Sequence, residues 1–270
     1  MTEREPAAEE AIPDAGSGSL FARVEHFDEI DSTNRYLVDA AGAGAPEGSA
    51  VVAVRQTAGR GRFGRRWIDV PGGSLLCSML FRPPLPPERW HLVGWCVAVG
   101  ARRAVLGVTG VETVFKWPND LLAGGLKVAG VLGELVPPSA LVVGIGVNCN
   151  WPPCWPPDEL RGTATSLSRE CLAEIDLGAL ERALLDAVAE EYRRLREGGG
   201  PQALASSYRS HLSTIGQLVS VALPGETLVG RALDVDDDGR LLVDVGACVR
   251  TVQAGDVVHL RPPGGDRARG

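Results

Sequence analysis

A change of pattern near Gly216 is the feature that most limits how this 270-residue chain can fold. Before it, apolar runs typical of strands alternate with longer stretches typical of helices. After it, only short segments of alternating polar and apolar residues occur, with turn residues between them. The pattern predicts an α/β body over residues 21–215 and a small closed β barrel over residues 216–263.

Within the body, six apolar runs are predicted to be strands: 24–30, 50–56, 74–81, 113–116, 127–135 and 141–148. Four helices are predicted between and after them: 32–41, 90–106, one that Asp176 caps and that ends before Gly198, and 201–211. The sequence DVDDDG (234–239) matches the first half of a calcium loop. It lacks the required glutamate and flanking helices, so it is interpreted as a hairpin turn.

The formal net charge of −7 argues against a general nucleic-acid binder. Residues 1–20 supply −4 of it, since they hold five acidic residues against one arginine. Their composition predicts a disordered acidic tail, and residues 264–270 are predicted to form a second tail. The remaining body is only mildly acidic, which makes a cluster of arginines within it stand out.

Location is predicted from the same composition. The first residues carry acids where a secretory signal has bases before an apolar run. No stretch approaches the ~18 uninterrupted apolar residues of a membrane span. Six cysteines without paired or metal-like spacing predict reduced, mostly buried thiols and no structural zinc. A cytoplasmic protein without membrane contact is therefore expected.

Residues 56–67, QTAGRGRFGRRW, place three glycines and four arginines directly after a predicted strand. Glycines let the backbone approach a ligand and point N–H groups at it. Arginines are permanent cations suited to phosphate and carboxylate. A bare arginine cluster is more often a solvated loop or a nucleic-acid patch, but the interleaved glycines favour an anion-binding loop of an enzyme that activates a carboxylate with ATP.

The same loop contains a GxGxxG match from Gly59 to Gly64. A dinucleotide-binding fingerprint opens a helix and has an acidic residue about 20 positions later. Here the chain continues RRWIDVPGG, a poor helix start, and no acid lies near residues 83–84. The partner motifs of a kinase glycine loop are also missing, so neither interpretation fits.

Three further segments hold candidate ligand-binding residues. KWPND (116–120) ends a strand with a turn, and a lysine and an aspartate at a strand end lie where substrates bind in open α/β sheets. KVAGVLGE (127–134) begins an apolar strand with a cation. GIGVNCN (144–150) carries two glycines, which indicate close backbone approach. Each segment also has a purely structural interpretation as a turn, a solvent-facing strand end or a core strand.

Taken in order, DSTN (31–34), the loop 56–67, KWPNDLL (116–122), KVAGVLGE, GIGVNCN and TATSL (163–167) resemble biotin–protein ligases. The last strands, ending VQAGDVVHLR, resemble the small SH3-like domain of that family. The resemblance runs from about residue 21 to residue 262. It implies a class II synthetase-like α/β (α+β) catalytic domain with a mixed sheet packed with helices, followed by an SH3-like β domain.

The resemblance also implies the reaction. Biotin and ATP form biotinyl-5′-AMP, and the biotinyl group then passes to a lysine of a biotin carboxyl carrier domain of acetyl-CoA carboxylase or related carboxylases. Some family members carry an N-terminal DNA-binding domain. Only about 20 unpatterned residues precede the predicted body here, so no DNA binding is expected.

Individual roles are implied by position. The residues implied to bind biotin are Ser32, Thr33, Asn34, Gln56, Arg60, Gly61, Arg62 and Lys127. Those implied to bind ATP are Arg60, Arg62, Trp67, Asn119, Lys127 and Asn148. Arg62 and Lys127 are implied to be catalytic, because their charges oppose the repulsion between a carboxylate and a triphosphate. Asp120 is implied to contact Mg²⁺.

Two other functions remain open at this stage. A lipoate- or octanoate-protein ligase would share the fold, although KWPND and GRGRFGR favour biotin. A non-catalytic anion-binding module for nucleic acid or a partner protein would share the arginines. The combination of Lys127 and Asp120 favours an enzyme. Because acyl-adenylates hydrolyse in water, the loop 59–66 is expected to close over the intermediate.

Overall fold

A computed structural model describes residues 20–223, 225–253 and 255–260. The two predicted tails lie outside the described residues, apart from Leu20. The strands of the body are β1 (Arg23–Ile30), β2 (Ser49–Gln56), β3 (Ser74–Phe81), β4 (Val114–Lys116), β5 (Asp120–Ala123), β6 (Leu126–Val136) and β7 (Ala140–Asn148). They form one sheet in the order β1-β2-β3-β7-β6-β5-β4.

This sheet is mixed, as predicted. Strand β1 pairs in parallel with β2, whereas β2 pairs antiparallel with β3 and β3 antiparallel with β7. Strands β7, β6, β5 and β4 continue the antiparallel pairing. The central strand β3 is buried along its whole length, so the sheet is covered on both faces.

Five helices cover the sheet: α1 (Thr33–Gly42), α2 (His91–Thr109), α3 (Leu167–Cys171), α4 (Leu177–Leu195) and α5 (Gly200–Ser210). Helix α1 packs on one face, where Leu37 joins a cluster with Val51, Leu80 and Val142. Helix α2 packs on the other face and is covered in turn by α4 and α5. By length and composition the segment Pro87–Thr109 could cross a membrane, but α2 is largely buried inside the body, as core helices of globular proteins are.

The C-terminal strands are β8 (Leu218–Leu223), β9 (Glu226–Val235), β10 (Leu241–Asp244), β11 (Val249–Val252) and β12 (Asp256–His259). They form an antiparallel sheet in the order β11-β10-β9-β8-β12. Among the described residues the pairing runs from β11 to β12 without closing, so the predicted barrel is not closed by hydrogen bonds. The DVDDDG segment is the β9–β10 turn, in which Asp236 Oδ1 accepts from the Asp238 and Arg240 N–H groups.

The predicted strands and helices are all present, and two elements were missed. Strand β5 begins at Asp120, the last residue of the segment KWPND in which a turn was predicted. The short helix α3 follows the segment TATSL. The expectation that most cysteines are buried was wrong for half of them: Cys77, Cys96 and Cys149 are buried, whereas Cys154, Cys171 and Cys248 are exposed or intermediate.

Candidate active site

The arginine-glycine loop folds back on itself directly after β2. The Trp67 N–H donates to the Gly59 carbonyl at 3.0 Å, and the Gly61 N–H donates to the Arg65 carbonyl at 2.8 Å. The two ends of the loop therefore meet, and its tip is formed by residues 62–64. The Gly61 N–H, which was predicted to face a ligand, serves this internal turn.

Two arginines of the loop contact the C-terminal sheet. Arg62 Nη1 donates to the Gly255 carbonyl at 3.2 Å, and Arg65 forms an ion pair with Asp256. Burial lowers the pKa of Arg62, while the carboxylates of Asp120 and Asp256 act in the opposite direction. Because a guanidinium stays protonated far above neutral pH, Arg62 remains a partly buried cation.

The other two arginines of the loop also have protein partners. Arg60 Nη1 lies 2.9 Å from Glu134 Oε1 of β6, and Arg66 Nη2 donates to the Thr57 carbonyl at 3.2 Å. Glu134 is mostly buried, whereas Arg60 is half-exposed. The carboxylate of Glu134 thus holds Arg60 above the sheet, a role that the sequence did not predict.

The first turn of α1 lies beside the end of β2. Ser32 caps the helix, and its Oγ accepts from the Arg35 N–H at 3.4 Å. Gln56 Oε1 accepts from the backbone N–H and the hydroxyl of Thr33, at 2.8 and 3.0 Å. Ser32, Thr33 and Asn34 are all buried. The structure therefore places Ser32, Thr33, Asn34 and Gln56, four of the residues predicted to bind biotin, beside one another in a small polar cluster.

Ser78 of β3 belongs to the same cluster. Its Oγ lies 2.8 Å from Thr33 Oγ1 and 2.6 Å from Asn34 Oδ1. A Cβ at Gly144 of β7 would lie 1.9 Å from Asn34 Oδ1, so the glycine makes room for that side chain. Sequence reasoning missed Ser78, although a serine in the middle of the apolar run SLLCSMLF was an available signal.

Trp67 lies over two neighbouring glycines of the sheet. Gly130 of β6 and Gly146 of β7 are register partners, and a Cβ at Gly146 would lie 2.5 Å from the Trp67 ring. Trp67 Nε1 is buried, and no described residue accepts its proton. A buried indole N–H normally has a partner, so the ring position leaves this donor available to a group that enters beside Trp67.

Lys127 lies at the rim of the same surface. Its Nζ is 2.6 Å from Asp120 Oδ1 of β5 and 5.6 Å from the centre of the Trp67 ring. Its backbone is fixed by pairing with the segment TATSL: the Lys127 N–H donates to Thr163, and the Thr165 N–H donates to Lys127. A cation and an aromatic face therefore meet at the start of β6, while Arg60 of the loop contacts Glu134 nearer the end of the same strand.

The sequence of the whole chain places this site in a known family. Residues 26–150 match the biotin/lipoate A/B protein ligase family, and residues 214–260 match the biotin protein ligase C-terminal domain. The chain is 38% identical to the biotin–acetyl-CoA-carboxylase ligase of Mycobacterium tuberculosis, over 97% of this chain and 100% of that protein. The chain belongs to the biotin protein ligase family.

Other members of the biotin protein ligase family are similar over most of the chain. The bifunctional ligase/repressor BirA of Bacillus subtilis is 32% identical over 86% of this chain and 72% of that protein. Among solved structures, the biotin protein ligase from Aquifex aeolicus in complex with biotin and ATP superimposes with a TM-score of 0.77 at 26% identity, covering 90% of this chain and 100% of that one. The predicted fold class is thereby confirmed.

Two asparagines expected to serve the nucleotide in this ligase family have structural contacts here. Asn119 Nδ2 donates to the Val131 carbonyl at 2.8 Å, and Asn148 Nδ2 donates to the Thr165 carbonyl at 3.0 Å. Asn148 is also nearly fully buried. The amide nitrogens therefore join the turn before β5 to β6, and the end of β7 to the segment TATSL.

The remaining prediction concerns a metal ion. Within the described ranges, no group of three or more His, Cys, Asp or Glu side chains could hold one. Asp120, the residue expected to contact Mg²⁺, has one oxygen against Lys127. A site with fewer than three such side chains suits Mg²⁺ when substrate phosphates and water supply the remaining ligands.

Proposed function

We propose that this chain activates biotin with ATP and transfers it to a lysine of a biotin carboxyl carrier domain. The observation that carries the proposal is the row of groups along β6. Lys127 and Trp67 meet at its start, and Arg60 pairs with Glu134 further along, beside the cluster of Gln56, Thr33 and Asn34. One end of this surface is small, polar and buried, and the other is cationic and aromatic. The names of the relatives and the biotin- and ATP-bound neighbour support the same assignment.

In the first step, a carboxylate oxygen of biotin attacks the α-phosphorus of ATP. A P–O bond forms, the bond to the β-phosphate breaks, and pyrophosphate leaves. The reactants are both anions, so cations that face the transferring group lower the barrier. Arg60, Arg62 and Lys127 supply them, and Arg60 and Lys127 now rest on carboxylates that the substrate oxygens would replace.

In the second step, the amine of the carrier lysine attacks the acyl carbon of biotinyl-5′-AMP. The amide bond forms, AMP departs with the bond electrons, and the amine loses a proton. The polar cluster of Gln56, Thr33 and Asn34 would position biotin throughout, since buried amide and hydroxyl groups select a compact polar ring. Trp67 Nε1 and the Trp67 face would serve the nucleotide.

Mg²⁺ is part of the proposal as a companion of ATP. It neutralises phosphate charge when bound, and Asp120 is the carboxylate of this site that would contact it. For that contact, Lys127 must release the Asp120 oxygen it now holds. An incoming phosphate would favour this exchange, because it offers Lys127 another anion.

We further propose that residues 21–215 form the catalytic unit and residues 216–263 the C-terminal unit. The two family matches support this division. The unpaired cysteines and the use of ATP fit a reducing compartment, the cytoplasm.

Exchange of labelled pyrophosphate into ATP tests the proposal, with biotin, lipoate or octanoate added as the acid. Exchange with biotin, followed by biotinylation of a carrier domain, is expected. Exchange with lipoate or octanoate alone would assign the chain to a sister activity of the same fold. No exchange with any of the three acids would favour a non-catalytic binding module.

A further inference from the structure

A series of polar contacts joins Gln56 to Arg60 through the interior of the molecule, although the two residues are close in sequence. Gln56 Oε1 accepts from Thr33, as described above. Thr33 Oγ1 lies 2.8 Å from Ser78 Oγ, and Ser78 Oγ lies 2.6 Å from Asn34 Oδ1. The series thus crosses from β2 to α1 and β3 and returns to α1.

Glu134 completes the series. Asn34 Nδ2 donates to Glu134 Oε2 at 2.8 Å, and Glu134 Oε1 lies 2.9 Å from Arg60 Nη1. One carboxylate oxygen of Glu134 therefore binds Asn34 of the polar cluster, and the other binds Arg60 of the loop. The side chain of Glu134 is only 20% exposed, and its bond to Asn34 fixes it in place, so this ion pair loses less conformational entropy than a free surface pair.

The series has fewer hydroxyl protons than contacts. The contacts Gln56–Thr33, Thr33–Ser78 and Ser78–Asn34 each need one, and two hydroxyl groups supply them. Asn34 cannot add a third, because its amide protons face Glu134 and a backbone carbonyl of β6. A ligand that donates a hydrogen bond to Gln56 or Thr33 would therefore supply the missing proton.

We propose that Glu134 is a positioning residue that ties the Arg60 end of the loop to the biotin pocket. This inference rests on the proposed function. Biotin binding and the position of Arg60 are therefore coupled. Asn34 of the pocket keeps the Glu134 side chain oriented, and Glu134 keeps Arg60 above the sheet.

The variant Glu134→Gln separates the two contacts of the side chain. Its amide oxygen can still accept from Asn34, while its amide nitrogen cannot accept from Arg60. Biotin binding, measured by calorimetry, is expected to weaken about tenfold, the effect of losing one charge-assisted hydrogen bond. Glu29→Gln is the matched control, since it breaks the exposed Arg55–Glu29 ion pair of 2.6 Å at the ends of β2 and β1.

Repeating the biotin-binding measurement in an Arg60→Ala protein distinguishes a positioning role of Glu134 from a general loss of stability. If Glu134 acts through Arg60, Glu134→Gln has no further effect on biotin affinity in an Arg60→Ala protein. A general structural defect would instead weaken binding by the same factor in both backgrounds. Thermal unfolding of all variants is measured alongside and is expected to change little.

The outcomes separate the inference from the proposed function. Wild-type protein that does not bind biotin overturns the proposed function and this inference with it. Wild-type protein that binds biotin, together with a Glu134→Gln variant that binds equally well, overturns the inference alone. Equal losses in the wild-type and Arg60→Ala backgrounds also overturn it.

Discussion

At the scale of single residues, Lys127 carries the charge on which the proposed chemistry depends most directly. Its backbone pairs with the segment TATSL, and its Nζ rests on Asp120 beside the Trp67 ring. A lysine is a compact point charge on a flexible stem, so it can move from Asp120 to a substrate oxygen without any change in the sheet.

Replacing Lys127 by Met is therefore expected to slow the first step strongly. Loss of one preorganised cation from a transition state costs about 10²–10³-fold in rate. The measurement is the rate of biotin-dependent pyrophosphate exchange at saturating substrates. Arg55→Met, which removes a cation from an exposed ion pair, is the control and should exchange at the wild-type rate; a Lys127→Met enzyme of wild-type rate would exclude the catalytic role.

Sequence patterns identified the charged residues of the site more readily than its supporting residues. Gln56, Lys127 and the arginines lie in short motifs with recognisable chemistry. Ser78 and Glu134 do not, because their contacts depend on strand register: Ser78 meets α1 from β3, and Glu134 meets Asn34 100 positions away. Local sequence carries no information about which buried polar groups satisfy one another across a sheet.

At the scale of elements, the pairing of β6 with β7 creates the surface on which Trp67 rests. Gly130 and Gly146 face each other in register, and neither carries a Cβ that would lift the indole ring. The sequence predicted close approach at the glycines of β7. It did not predict that a side chain of the protein itself, rather than a ligand, would occupy the space.

The variant Gly146→Ala tests this surface, because its Cβ would lie 2.5 Å from the Trp67 ring. The ring must shift, so ATP affinity is expected to fall more than biotin affinity, and overpacking is expected to lower the free energy of unfolding by about 1–3 kcal/mol. Titration of each ligand by fluorescence measures the first effect, and chemical denaturation the second.

Gly133→Ala is the control on the same pair of strands. Its Cβ would meet Leu141 at 3.7 Å, an ordinary contact. Equal losses in the two variants would mean that any added methyl group in this sheet is harmful and that the Trp67 surface has no special part in ATP binding.

The sequence did not predict strand β5, which is short and depends on its neighbours for its place in the sheet. Strand β5 has four residues between the turn after Lys116 and the glycines Gly124 and Gly125. Such a segment has too few residues for a periodic signal. Its place in the sheet depends on β6, and this placement is what brings Asp120 within 2.6 Å of Lys127.

At the scale of the whole molecule, the C-terminal sheet holds the tip of the loop. Arg62 and Gly255 are separated by 193 positions, and Arg65 and Asp256 by 191. No local pattern predicts such contacts, although the different periodicities of the two units predicted a division near Gly216. The loop 56–67 is thus supported by Glu134 of the seven-stranded sheet on one side and by the entry to β12 on the other.

The variant Asp256→Asn is expected to loosen the loop without unfolding the protein. An exposed ion pair stabilises a folded arrangement by about 0–1 kcal/mol. Loss of the Arg65–Asp256 pair should therefore raise the fraction of molecules with an open loop by at most severalfold. Tryptic cleavage within residues 60–66 reports that population when opening is fast relative to cleavage. Cleavage in the absence of ligands should accelerate severalfold, and raising the salt concentration should bring the wild-type rate closer to the variant rate, since salt screens exposed charges.

Glu226→Gln is the matched control, because it breaks the Arg250–Glu226 ion pair, which is exposed to a similar degree but lies within the C-terminal sheet. It should leave cleavage of the loop at the wild-type rate. If Asp256→Asn also leaves cleavage unchanged, Arg65 is not held by the C-terminal sheet in solution. Support of the loop would then come from the Arg62–Gly255 contact and from the Arg60–Glu134 ion pair.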